Sequence, residues 1–167
     1  SVSESSVKLT IVSSIAFIVS RLVKVTGKIE HLPEEFVKSK LIIADNEEDK
    51  LCWYRFLSIC LDRTLSKAKM LLCEEHGHLY TTHLTKEAKN IIDNFNGTSV
   101  EEMKESAKKH KINVNIYESS EESKIYGLSE QWFFDESFTT YSALLFSKVR
   151  IIHIMYILDA EKLTNIM

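Results

Sequence analysis

Apolar side chains recur at helical spacing through the first two-thirds of the chain. Beginning at Cys52, one such stripe is formed by Trp53, Phe56, Leu57, Cys60 and Leu61. These positions lie three and four residues apart, so they share one face of a helix. The same spacing predicts further helices over residues 64–75, 85–95 and 99–110. Ser99 followed three residues later by Glu102 is a capping-box pattern for the last of these helices.

The periodicity changes in the last third of the chain. Ile112, Val114 and Ile116 alternate with polar residues, which is the two-residue repeat of a strand. Further strands are predicted over residues 125–128, 140–146 and 149–158, and residues 41–44 read as either a strand or a helix end. Helices followed by strands predict an α+β fold, a small sheet packed by helices.

The segment of residues 7–25 is the most apolar part of the chain and reads as a helix. Only twelve residues separate Lys8 from Arg21, whereas a membrane span needs about 20 apolar residues. We expect a buried helix and no membrane span in this fragment; a signal-peptide remnant or a membrane-associating helix are the alternatives. The chain begins with Ser1, which suggests a fragment of a longer protein. We divide it into a helical arm, residues 1–40, and one domain, residues 41–167, with a helix start at Pro33.

Composition excludes several functional classes. The chain has 21 basic and 24 acidic residues, a net charge of -3, so it offers no broad basic surface for nucleic acid. Its three cysteines form no CxxC pair, so neither a disulfide framework nor a zinc site is indicated. We expect an intracellular protein with no metal or other cofactor. The oligomeric state is open.

Cys52 is the first candidate for chemistry. It follows a polar, acidic segment and begins a predicted helix. The N-terminus of a helix carries unpaired N–H groups and partial positive charge, which lower a thiol pKa and can stabilise an oxyanion. A buried thiol in the helix stripe is the alternative, and Cys60 and Cys73 read that way.

His153 is the candidate base, because an imidazole interrupts an otherwise apolar strand. A core histidine with its hydrogen bonds satisfied is the alternative. His76, His78 and His83 cluster in a polar connection and are expected at the surface, and His31 and His110 lie beside polar residues.

These residues resemble the ovarian-tumour (OTU) class of papain-like cysteine proteases, which are typically deubiquitinases. The family's nucleophile segment reads Asp-Gly-Asn-Cys, then a large apolar residue, Phe and Arg. The corresponding residues here are Asp49, Cys52, Trp53, Tyr54 and Arg55. Residues 95–117 look like the family's central helix–strand unit, and residues 152–159 look like the end strand with the catalytic histidine. The divergent forms of mobile elements, parasites and endosymbionts are most similar, over about residues 45–160.

The resemblance implies a ubiquitin or polyubiquitin substrate, a cytoplasmic or nuclear setting that includes the inside of a host cell, and catalysis by Cys52 and His153. Asp49 would hold the nucleophile loop, and the main chain of Lys50 and Leu51 would form the oxyanion site. Lys50 and Leu51 replace the family's Gly and Asn.

The third catalytic residue is not evident from the sequence. Met155 stands where the family has Asp or Asn, and Asp159 lies about 20 Å along the strand from His153. Asp45, Asn46 and Asp49 are the other candidates, and a Cys–His dyad without a third residue is also possible.

Two other functions compete with the hydrolase. An OTU-like fold without catalysis would be a ubiquitin-binding or protein-interaction module. In a helical interaction domain unrelated to proteases, Cys52 and His153 would never meet. Trp132, Phe133 and Phe134 read as core residues, with an exposed aromatic contact for ubiquitin as the alternative.

Overall fold

The structure is a computed structural model, and we describe only the part of the chain that it places well. The described residues are 24–25, 29, 32–45, 47, 49–62, 64, 67–78, 85–120, 126–148 and 151–165. Most of the segment of residues 7–25, and with it most of the predicted helical arm, lies outside them.

Six helices occur in the described residues. In chain order, α1 to α6 are Glu34–Lys38, Cys52–Asp62, Ala68–Glu75, Lys86–Asp93, Val100–Lys109 and Ala160–Thr164. Their starts follow local sequence signals. Thr85 caps α4, and Ser99 and Glu102 form the predicted capping box of α5. Helix α1 begins directly after Pro33, as predicted.

In the part of the chain that the structure describes, seven strands form two sheets. In chain order, β1 to β7 are Lys24–Val25, Ile42–Ile43, Thr98–Ser99, Ile112–Ser120, Gly127–Trp132, Thr139–Lys148 and Ile151–Ile157. The larger sheet has the order β2-β7-β6-β4-β5, in which β4 and β6 run parallel and the other neighbours antiparallel. Strands β1 and β3 form a separate antiparallel pair.

Helices cover both faces of the larger sheet. On one face, Ile154 and Val114 pack with Leu57 of α2 and Met103 of α5. On the other face, Phe146, Met155 and Ile157 pack with residues from α1 and α6, among them Phe36 and Leu163. Strands β6 and β7 are apolar on both faces, which explains their nearly continuous hydrophobic sequences.

The connection from β5 to β6 crosses the start of β4 and is fastened there by Asn113. The Asn113 side chain is buried, donates hydrogen bonds to the carbonyls of Asp135 and Phe138, and accepts one from the Phe134 N–H. Because the crossing holds β5 and β6 on opposite sides of β4, it fixes the order of the central strands.

The α+β prediction is confirmed, and several boundaries need correction. Residues 41–44 contain a strand, β2, and the predicted strand at 125–128 is β5, which begins at Gly127 and runs on to Trp132. Lys24 and Val25, expected at the end of a helix, form β1. Within the described residues, none of the helices has both the length and the apolar character needed to cross a membrane.

Candidate active site

Cys52 is the first residue of α2, as the sequence predicted. The segment before it is held in a turn, in which Asp49 Oδ1 accepts a hydrogen bond of 3.0 Å from the Leu51 N–H. Lys50 has a φ of 61°, a left-handed conformation that glycine adopts more easily. After this turn, Leu51 and Cys52 lie in the core, where both are fully buried.

The Cys52 thiol is protonated in this environment. Burial is the largest effect on its pKa and raises it to about 12, while main-chain hydrogen bonds to Ile154 and Trp53 oppose the rise. The effect of burial therefore exceeds that of the helix N-terminus. Cys52 lies in the same buried core cluster as Ile154 of β7.

His153 lies in β7 beside Ile154 and is fully buried. Its Nε2 forms a 2.5 Å hydrogen bond with the main-chain carbonyl of Asp45, and its Nδ1 has no hydrogen-bond partner among the described residues. Burial is the largest effect on the His153 pKa and lowers it, although the carboxylate and main-chain bond of Asp45 oppose the change. The ring is therefore neutral at pH 7.

The thiol and the imidazole are not hydrogen-bonded to each other, and they lie on opposite faces of the larger sheet. His153 lies opposite Phe146 in the sheet, whereas Ile154 lies opposite Leu145. Since side chains alternate along a strand, the His153 ring is on the face of Phe146, and Ile154 faces the core that contains Cys52. The predicted nucleophile therefore packs in the same core cluster as Ile154, while its neighbour in β7, His153, faces the other side of the sheet.

Arg55 links the two ends of the segment between β2 and α2. Its Nε donates to Asp45 Oδ2 at 2.6 Å, and its Nη1 donates to both carboxylate oxygens of Asp49 at 2.5 and 2.6 Å. Only 5% of the Arg55 side chain is exposed, so its ion pairs are largely shielded from water. Burial lowers the Arg55 pKa, but the two carboxylates outweigh it and raise the pKa overall.

The other candidates for a third catalytic residue are placed elsewhere. Asp159 caps α6, where its Oδ1 accepts a hydrogen bond from the Lys162 N–H. Met155 is buried on the face of the larger sheet that packs with α1 and α6, together with Phe146 and Leu163. Asn46 lies outside the described residues.

The remaining predicted positions are only partly described. His76 and His78 are exposed, as expected for a surface connection, whereas His31 and His83 lie outside the described residues. His110 is paired with a carboxylate away from Cys52: its Nε2 lies 2.9 Å from Glu75 Oε1. The described His, Cys, Asp and Glu residues include no group of three or more arranged to hold a metal ion. Trp132 is buried, but Phe133 is 67% exposed.

Comparison with known proteins gives little further information. Neither a protein-family model nor a curated protein sequence matches this chain. Among solved structures, the chain is similar to the viral OTU domain protease from Dera Ghazi Khan virus, with a TM-score of 0.44 and 13% identity, over 72% of this chain and 83% of that chain.

Sequence reasoning missed the acceptor that His153 uses. Asp45 was a candidate through its carboxylate, but the structure pairs His153 with the Asp45 main-chain carbonyl and gives the carboxylate to Arg55. Every residue has a carbonyl, so no sequence signal could have marked this one.

Proposed function

We propose that this chain is a cysteine-type deubiquitinase with a papain-like fold of the OTU type, in which Cys52 is the nucleophile and His153 the base. One observation carries the proposal: the helix that begins with Cys52 packs against β7, and β7 also carries a buried, neutral histidine whose Nδ1 has no hydrogen-bond partner among the described residues. These residues are 101 positions apart in the sequence, and both were selected from the sequence for this chemistry.

The turn before Cys52 supports the resemblance to the OTU class. Lys50 stands where the family has glycine, and its backbone takes the left-handed conformation that glycine favours. Asp49 and Arg55, which match the family's Asp and Arg, bind each other across this turn. The replacement of Gly and Asn by Lys50 and Leu51 therefore leaves a defined turn in place.

The reaction follows from the residue types. His153 takes the thiol proton from Cys52 while the sulfur attacks the carbonyl carbon of the isopeptide bond that follows the C-terminal glycine of ubiquitin. The main-chain N–H groups of Lys50 and Cys52 stabilise the oxyanion, since the Leu51 N–H is donated to Asp49. The C–N bond breaks, His153 protonates the leaving amine, and a thioester remains on Cys52. Water, deprotonated by His153, then hydrolyses the thioester and releases ubiquitin.

The buried thiol means that the site must open before it reacts. Cys52 and His153 are fully buried and are not paired. Catalytic hydrogen bonds are often incomplete in the free enzyme and form in the complex. We propose that binding of the C-terminal tail of ubiquitin displaces the segment before Cys52 and rearranges β7, so that the thiol and the imidazole, which face opposite sides of the sheet in the free protein, come together, a form of induced fit.

The test uses ubiquitin whose C-terminus carries a vinyl sulfone. Addition of the Cys52 S–H across the C=C bond forms one S–C bond, so the intact mass rises by the full mass of the probe. We expect an adduct with the wild type and none with Cys52→Ala. The matched control is Cys60→Ala, a second buried thiol of α2, which should still form the adduct.

The buried and protonated state of Cys52 favours a second candidate, an OTU-like module that binds ubiquitin or another protein without catalysis. This candidate predicts saturable ubiquitin binding by a wild type that forms no adduct with ubiquitin or ubiquitin-like probes. That result, with the protein shown to be folded, would reject the hydrolase.

A further inference from the structure

We propose that the main-chain carbonyl of Asp45 is the third member of the catalytic group, and that Arg55 is the positioning residue that holds this carbonyl. The inference rests on the proposed function. It assigns the orienting role to the main chain before the nucleophile, whereas the sequence suggested a side chain.

The hydrogen bond between His153 and Asp45 fixes the tautomer of the ring. A carbonyl oxygen only accepts hydrogen bonds, so Nε2 must carry the proton. In a neutral imidazole, Nδ1 then holds the free lone pair and is the only ring atom that can accept a proton from a thiol. Nδ1 has no partner among the described residues. The base is therefore set in the correct protonation state before the substrate arrives.

The carbonyl is held from two directions. The Asp45 N–H donates to the carbonyl of Ile43, which ties the residue to the end of β2, and the Asp45 carboxylate is bound by Arg55. The Asp45 side chain is 6% exposed, so this ion pair is shielded from water. The position of the Asp45 carbonyl is thereby fixed by one main-chain hydrogen bond and one shielded ion pair.

Arg55 also helps to position the Cys52 thiol. Through Asp49 it holds the turn that presents Cys52, since Asp49 binds the Arg55 guanidinium and the Leu51 N–H with the same carboxylate. A single planar guanidinium thus fixes the acceptor of the base and the turn of the nucleophile relative to each other. A lysine could not replace it, because an ammonium group lacks the rigid set of donors.

The side chains that the sequence offered do not compete for this role. Asp159 is used as the cap of α6, and Met155 cannot accept a strong hydrogen bond. Asp49 is directed to Arg55 and Leu51.

The first test is the tautomer of His153, read from the ¹⁵N shifts of its ring in the uniformly labelled full chain at pH 7.5, with the signals assigned through bonds to the His153 backbone. We expect the Nε2–H form. The Nδ1–H form or a charged ring would overturn the inference, and this readout does not depend on any activity.

The second test is the rate of the vinyl sulfone reaction with Asp45→Asn, which keeps the carbonyl but loses the ion pair with Arg55. We expect the limiting rate constant at saturating probe to fall by about 10- to 100-fold, as for other small displacements of reacting groups, with the half-saturating probe concentration unchanged. We also expect the Nδ1–H tautomer to appear in its spectrum. A structural role alone would lower the folded fraction without changing the tautomer of the folded protein.

Arg55→Lys should behave like Asp45→Asn, and His110→Gln, in the separate group around Glu75, is the matched control that should react like the wild type. An unchanged limiting rate constant in Asp45→Asn would overturn the inference. If the wild type forms no adduct at all, the proposed function fails, and the tautomer experiment alone decides whether Asp45 orients His153.

Discussion

At the scale of single residues, Cys52 combines two opposing influences. Its position at a helix start favours the thiolate, yet burial raises its pKa to about 12. Burial can shift a pKa by three to five units, more than the end of one helix supplies. The thiol of the free protein therefore behaves as a small apolar group, and its chemistry requires the opened site.

This burial makes a prediction about stability. We expect Cys52→Ala to lower the free energy of unfolding by about 1 kcal/mol, because it removes one atom from a packed core. Cys52→Ser should lower it further, by about 1–3 kcal/mol, because the hydroxyl is buried among apolar neighbours. Urea unfolding of the three proteins at pH 7.5 measures both values. Equal stability of the two variants would show that the site is open to water in the free protein.

How much the sequence revealed differed from residue to residue. The start of α2 at Cys52 and the Ser99 cap depend on neighbours within one helical turn, so they were predictable. The burial of Arg55 was not, because a charged side chain is buried only where partners from other segments meet it. Asp45 was among the candidates, but the use of its carbonyl depends on where β7 passes.

At the scale of elements, the crossing between β5 and β6 depends on one side chain. Asn113 is 2% exposed and bonds to main-chain groups of three residues in the crossing, Phe134, Asp135 and Phe138. The polar Asn113 in the otherwise alternating strand β4 is thus explained by its hydrogen bonds to the connection between β5 and β6, which lies outside β4. The edge strand β5 was located only in part, because its residues are mostly exposed and lack an apolar face.

We expect Asn113→Ala to lower the free energy of unfolding by about 2–4 kcal/mol, because it leaves several main-chain groups without partners. Gln131→Ala is the control: Gln131 is exposed and its side chain donates a hydrogen bond of 3.3 Å to Asn115 Oδ1, so its loss should change stability by less than about 0.5 kcal/mol. Denaturant titrations compare the two variants with the wild type. A loss for Asn113→Ala as small as that of the control would mean that the crossing is held by other contacts.

At the scale of the whole molecule, two titratable groups with shifted pKa values, the buried His153 and the partly buried Glu75, make stability depend on pH. The pKa of His153 lies below its ordinary value of 6.5, so the unfolded chain takes up a proton more readily than the folded one. Burial raises the pKa of Glu75, but hydrogen bonds from His110, Ser106 and Tyr54 outweigh this and lower it. Both groups therefore weaken the fold as the pH falls, His153 first and Glu75 below its ordinary value of 4.5.

We expect the free energy of unfolding to decrease between pH 7.5 and pH 5.5, and the decrease to be smaller in His153→Gln, which cannot take up the proton. Guanidinium titrations at intervals of half a pH unit give the two curves, and their difference isolates His153 from the other histidines. Parallel curves over this range would show that His153 is not buried as a neutral group.

The contact between Asp45 and His153 also bears on how the protein acquires its site during folding. It joins residues 108 positions apart, and the pairing of β2 with β7 beside it spans a similar distance. Closing so long a loop is slow, whereas α2 and its turn depend on near neighbours. Cys52 is consequently covered only when β7 docks, late in folding. A newly made chain would pass through a stage in which its thiol is exposed while its base is not yet oriented, open to oxidation but not yet capable of catalysis.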